Sequence, residues 1–140
     1  MVTMRNLILP VLALCIPAAV TGQAPASCYD LMGTGQTIMH GVVRTPDDGA
    51  LCVGRTLVGG TFDLLVVRVD AMGDTVWARL FAGPGNEDGN KVILRDDNTA
   101  IICGRTSSVS DIPNQSDLWV LAVDLNGDLL WHTVVRNTGN

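Results

Sequence analysis

The sequence predicts an all-β protein made of two four-stranded antiparallel units preceded by one further strand. Three observations predict it. The chain repeats itself: LCVGRT at residues 51–56 returns as IICGRT at 101–106, and DLLVVRVDAMGDTVW at 63–77 returns as DLWVLAVDLNGDLLW at 117–131. The acid is nearly all aspartate, with Glu87 the only glutamate among 14 acidic residues. Aspartate suits turns and strand ends, whereas glutamate suits helices. Finally, no stretch carries a helical period of apolar residues.

The elements follow in order. Arg5 gives a short positive start, residues 7–20 are an unbroken apolar run with two prolines, and small residues follow at Gly22, Ala24 and Ala26. This is the layout of a secretory signal peptide over residues 1–26, cut at Ala24-Pro25-Ala26, with a cut after Gly22 as the near alternative. The run is too short for a membrane span, which takes about 20 apolar residues. Cys15 would be a lipoprotein anchor only with a small residue before it, and Leu14 stands there. The chain is therefore expected to be exported, to the cell surface or beyond it, with the periplasm as an alternative. No membrane span is expected in the mature chain.

Residues 27–140 form the repeat region, with units at about 38–82 and 88–136. A shift of 50 residues superposes the first part of each unit, and a shift of 54 superposes the remainder. Eighteen positions are identical in that alignment, including Gly54/Gly104, Arg55/Arg105, Asp63/Asp117, Asp70/Asp124 and Trp77/Trp131. Strands are expected at about 40–45, 50–56, 63–70 and 74–81, then at 90–95, 99–106, 117–124 and 128–136. Each segment is rich in Val, Ile, Leu and Thr and is bounded by turn residues. Residues 46–49 and 96–98 make the first hairpin of each unit. Residues 71–73 and 125–127 make the last, with Asn126-Gly127 a type I′ signal. The middle connections, residues 57–62 and 107–116, read as loops, and the four-residue insertion falls there. Residues 28–32 align with 78–82, the last strand of a unit, and so form a lone N-terminal strand.

A repeat of about 50 residues with four antiparallel strands is a β-propeller blade. A blade has two apolar faces and needs neighbours on both. Two blades and one strand make an incomplete propeller, expected to be the front part of a longer protein or to self-associate.

Net charge narrows the partners. Nine basic and 14 acidic residues give −5, and removing residues 1–26 takes away only Arg5, leaving −6. A chain this acidic, with Lys91 its sole lysine, is not built for nucleic acid or anionic lipid. Three cysteines remain after the signal peptide. Cys52 and Cys103 are offset by one within the repeat and so point to opposite strand faces, as small core or surface residues. Pairing of any two of Cys28, Cys52 and Cys103 stays open.

The unit resembles the SBBP-type β-propeller repeats of large secreted bacterial proteins. The resemblance covers residues 28–140. It is carried by Trp77 with Gly83-Pro84-Gly85-Asn86-Glu87-Asp88-Gly89, by Ile102-Cys103-Gly104-Arg105-Thr106-Ser107-Ser108 with Asp111-Ile112-Pro113, and by Asp117-Leu118-Trp119-Val120 with Asp124, Gly127 and Trp131. It implies scaffold and surface modules with no catalytic set of their own, often ahead of other domains. The family strings many units together, and this chain departs from it in having barely more than two.

Candidate chemistry is sparse. Asp70-Ala-Met-Gly-Asp74 and Asp124-Leu-Asn-Gly-Asp128 invite a calcium reading, but they lack the further ligands and closing glutamate of an EF-hand loop and read as turn caps. Asp96-Asp97-Asn98 and Asp47-Asp48-Gly49 read as solvated turns. Gly83–Gly89 lacks the lysine and helix start of a phosphate cradle. His40 and His132 occupy non-equivalent repeat positions, and no metal spacing or catalytic triad emerges. No catalytic residue, metal or cofactor is expected. Trp119, which stands where the first unit has Leu65, and Glu87 and Asp88, in the connection between units, are the candidate ligand contacts. Arg55 and Arg105 are expected to brace each unit by pairing with Asp63 and Asp117. Trp77 and Trp131 are expected to pack between blades.

These readings add up to a non-enzymatic exported repeat module with a scaffold or interaction role, whose partners are other blades or further copies. A module binding carbohydrate or protein is the first alternative and a fragment of a propeller enzyme the second. Residues 27–140 produced alone are expected to associate rather than behave as a monomer. Size-exclusion chromatography with light scattering checks this, and a sharp monomeric peak with cooperative unfolding would overturn it.

Overall fold

A computed structural model of the chain describes residues 36–109, 112 and 115–136. The signal peptide, Cys28 and the strand expected at 28–32 lie outside the described residues. Within them the fold is all-β, with no helix. The strands are β1 (Thr37–Arg44), β2 (Ala50–Val58), β3 (Thr61–Val69), β4 (Thr75–Phe81), β5 (Glu87–Asp96), β6 (Thr99–Thr106), β7 (Asp117–Asp124) and β8 (Leu129–Val135). They form two four-stranded sheets, β1-β2-β3-β4 and β5-β6-β7-β8, each an antiparallel meander.

The two sheets repeat each other in detail. Thr56 pairs with Asp63 as Thr106 pairs with Asp117, and Arg68 pairs with Trp77 as Ala122 pairs with Trp131. β1 and β5 share an irregularity at the same place. Register slips between Met39 and Gly41 and between Gly89 and Lys91, leaving His40 and Asn90 as the extra residues. The bulge accounts for the glycine of each Gly-Arg-Thr triplet. A Cβ on Gly54 would lie 1.9 Å from the Ile38 carbonyl oxygen, and one on Gly104 would lie 1.9 Å from that of Asp88. Only glycine lets the bulged strand come this close.

Sheet packs on sheet. β5 lies against β1, β2 and β3 of the preceding unit. Leu51, Val53, Leu64 and Val66 meet Val92, Ala100, Ile102, Leu121 and Val123 in one apolar core. Alternation puts these residues on the facing sides: Leu51, Val53, Leu64 and Val66 share one face of the first sheet, while Val92, Ile102 and Leu121 share one face of the second. Removing a Leu or Val of this kind from water stabilises by about 1.5–3 kcal/mol, so the interface supplies most of what holds the two units together.

The turns depart from the sequence reading in two places. The connection at 57–62 is not a loop. β2 and β3 run on to Val58 and Thr61, joined by Gly59-Gly60 with φ of +60° and +102°. Positive φ at both central residues is the type I′ hairpin, which matches strand twist and needs glycine. At the β7–β8 hairpin, by contrast, only Gly127 has positive φ, +91°. The Gly127 amide donates to the Asp124 carbonyl at 3.0 Å and the Asp124 amide to that of Asp128 at 3.0 Å. This is a three-residue turn closed by a left-handed glycine rather than the expected type I′ turn. The longer middle connection of the second unit does run between Thr106 and Asp117, where the insertion falls.

The β1–β2 hairpin builds the same kind of turn with a worse residue. The Thr45 amide reaches the Gly49 carbonyl at 2.9 Å, and Asp48 takes the left-handed position with φ +63°, the only described non-glycine there. A Cβ in that region costs free energy that glycine does not. Asp48 pairs only with the exposed Arg44, an interaction of small worth at the surface. Asp48→Gly is therefore expected to raise unfolding free energy by about 0.5–1 kcal/mol in urea denaturation.

Candidate functional site

The richest polar arrangement among the described residues is the junction where the Gly83–Gly89 segment enters the second sheet. Glu87 and Asp88 are the first two residues of β5, not loop residues, and both are buried; Glu87 is 1% exposed. The Thr106 hydroxyl donates to Glu87 Oε1 at 2.9 Å, and the Ser108 hydroxyl donates to the same oxygen. The Ser107 amide donates to the Asn86 carbonyl at 2.9 Å, while the Asn86 amide donates to Ser107 Oγ at 2.7 Å and the Gly85 amide to Ser108 Oγ at 2.9 Å. Asn86 Oδ1 in turn accepts the Phe62 amide at 2.9 Å, tying the segment to the first sheet. The Gly-Asn-Glu-Asp-Gly and Arg-Thr-Ser-Ser motifs are two halves of one hydrogen-bonded clasp.

The first unit shows the same clasp with both halves changed. Thr37 stands where the second unit has Glu87, and its hydroxyl lies 2.8 Å from that of Thr56, the mate of Thr106. Leu57 replaces Ser107, and only its amide bond to the Gln36 carbonyl, 2.9 Å, remains. The carboxylate and the serines thus come and go together between the two units, as a buried acid that needs hydroxyl donors should.

Asp88 is the electrostatic centre of the junction. Its side chain is 7% exposed. Oδ2 lies 3.3 Å from Arg55 Nη1 and 3.5 Å from Arg105 Nη2, while Oδ1 lies 3.3 Å from His40 Nε2. The Arg55 guanidinium also sits over the Phe62 ring, 4.4 Å from its centroid. The two repeated arginines therefore do not brace Asp63 and Asp117 as the sequence suggested. Both turn to Asp88, which joins one arginine from each sheet. The first unit has Ile38 at this position, so the shared carboxylate belongs to the second unit alone.

Asp117 opens β7 and Asp63 is the third residue of β3, and both are buried. Burial, and then the charge of Glu87, hold the Asp63 carboxyl above the usual carboxylate range. Glu87 Oε2 is buried with no hydrogen bond. Among the described residues no three His, Cys, Asp or Glu side chains stand together as a metal site would require.

A second link closes the opposite side of the interface. The Trp77 indole nitrogen donates to the Leu125 carbonyl at 3.1 Å, and Arg68 donates to the same oxygen. Trp77 thus packs between the two sheets. Arg68 also holds Asp47 at 2.7 Å. The Thr45 hydroxyl, followed by Arg68, brings the Asp47 carboxyl down to about 2.

Trp119 lies on the inner face of the second sheet, partly buried against the core, and its indole donates to His132 Nδ1 at 3.2 Å with the rings edge to face. The Asp-x-x-Gly-Asp segments are turns. Asp124 Oδ1 accepts the Asn126 and Asp128 amides, both at 2.9 Å, and Asp70 Oδ1 accepts those of Met72 and Asp74. These amides, that of Asp128 foremost, hold the Asp124 carboxyl below its ordinary value. Cys52 is half-buried, Cys103 is exposed, and both are free thiols.

No protein-family model matches the chain, and no curated protein matches it either.

A carboxyl whose pKa is raised on folding destabilises the folded state once it ionises. The penalty is absent below the unfolded value of 3.8 and grows as pH rises through the folded value. Asp63→Asn is therefore expected to raise Tm at pH 7 and to give no gain near pH 3, measured by thermal denaturation across that range.

Proposed function

We propose that the protein is a non-enzymatic, exported β-propeller-type repeat module, the N-terminal part of a larger surface or extracellular protein, with a scaffold or interaction role. The observation that carries this reading is the face-to-face packing of two sheets with the same strand order and bulge, joined by a core and two polar links. Propeller blades stack in this way. The resemblance of residues 28–140 to SBBP-type repeats supports the same reading. The polar groups at the junction also support it, because Asp88 links Arg55 of one sheet to Arg105 of the other and Trp77 donates across the interface to the Leu125 carbonyl. No helix among the described residues is long and apolar enough to cross a membrane. Residues 1–26 supply the export signal in this reading.

Export is tested by fusing alkaline phosphatase, active only outside the bacterial cytoplasm, after Asn140. The full chain is expected to give active enzyme, and a chain lacking residues 2–26 at least tenfold less. Equal activity from both would overturn the export reading.

A further inference from the structure

The second sheet has two faces, and the first sheet covers one. The other carries Ile93, Cys103, Arg105, Leu118 and Trp131, placed together by strand alternation and register. Their repeat mates are Val43, Val53, Arg55, Leu64 and Trp77, on the face of the first sheet that the second sheet covers. The contrast in exposure is large. Leu64 is 0% exposed and Leu118 is 44%; Trp77 is half-buried on the Leu125 carbonyl and Trp131 is 43% exposed. Arg55 receives the carboxylate of the following unit, whereas Arg105, its side chain 53% exposed, has only Asp88 of its own sheet.

The chemistry of this face selects its occupant. The same face of another copy offers Arg105 no free Glu-Asp pair: its Asp88 is already held by Arg55 and Arg105 of its own chain, and Asp96 and Asp124 stand at the opposite strand ends. The outward face of another copy's first sheet also fits poorly. It offers Thr37 and Ile38 where Glu87 and Asp88 would stand, and its Leu65 and Val67 are already 0% and 3% exposed. What the face lacks is what β5 gives to Arg55: an apolar sheet whose first strand opens with Glu-Asp.

We propose that the outer face of the β5–β8 sheet is a docking surface for a further four-stranded unit of this repeat whose first strand opens Glu-Asp. The incoming aspartate sits against Arg105 as Asp88 sits against Arg55, and an apolar sheet covers Leu118 and Cys103. The incoming final hairpin offers its backbone carbonyl to the Trp131 indole. The proposal deepens the repeat-module reading and rests on its unit-on-unit packing. Export is scored separately by the phosphatase fusion, so either can fail without the other.

The test extends the full chain. Gly139-Asn140 match Gly85-Asn86, so a second copy of residues 87–136 placed directly after Asn140 continues the repeat in register. In the added copy the cysteine is replaced by valine, the residue of position 53, leaving Cys103 as the probe. Maleimide labelling of Cys103, followed by peptide mass, is expected to be at least tenfold slower in the extended chain. Tm is expected to rise by about 5 °C or more in a single transition. Replacing the aspartate of the added Glu-Asp pair by asparagine is expected to restore at least half of the labelling rate while the chain stays folded by circular dichroism. Three results would each overturn the proposal: equal labelling in parent and extended chains, a separate melting transition for the added unit, or protection of Cys103 in the parent that grows with its own concentration. The last would mean that a second copy covers the face.

Discussion

The structure depends on one constraint: a sheet with two apolar faces is stable only when something covers them. Val53 and Leu64 show the constraint met, buried on one side of the first sheet by Ile102 and Leu121 of the second. Everything polar at the interface is arranged around that contact. Trp77 and Arg68 fasten one side to the Leu125 carbonyl, and Arg55 and Asn86 fasten the other. None of these links replaces the apolar burial. They fix the angle and register at which the sheets meet, which a purely apolar contact between two pleated surfaces leaves loose.

The Asp88 arrangement makes consecutive units interdependent. One carboxylate touches an arginine on its own sheet and one on the sheet before it. Nearly buried, it would be costly alone, and each arginine offsets part of that cost. A unit with Ile38 in this position makes no such demand on a predecessor. The two units are therefore alike in fold and different in what they require of their neighbours. The same holds for the clasp, where Thr37 and Thr56 satisfy each other and Glu87 requires Thr106 and Ser108.

Much of the fold was legible in the sequence because the repeat supplied two readings of each element. The four-strand order followed from turn residues at matching offsets in the two units. What local pattern could not show was burial imposed from elsewhere. Gly85-Asn86-Glu87-Asp88-Gly89 has the composition of a loop, yet three of its residues begin β5. The hydroxyl and guanidinium groups that donate to the Glu87 and Asp88 carboxylates come from 17 to 33 residues away. The arginines were recognised as structural, but the wrong aspartates were expected to meet them. Sequence proximity across a hairpin favoured Asp63 and Asp117, whereas the bulge in β5 brings Asp88 within reach. The Gly59-Gly60 hairpin had a local signal, two consecutive glycines between apolar runs, outweighed by matching the unit to its longer counterpart.

The edge strands carry a different lesson. β4 and β8 hold the same place in their sheets, but β4 has Arg79 at its centre where β8 has Thr133. From Leu129 to Val135, β8 is seven residues without a charged side chain, proline or glycine, and all but one are exposed. Among the described residues no strand pairs with this edge, and an edge of this kind templates backbone pairing with another extended chain, for which a single central charge is the common safeguard. The first unit has that gatekeeper and the second does not. At high concentration the weak point of this protein is therefore a seven-residue ribbon inclined to grow cross-β fibrils, independent of whatever its folded faces bind.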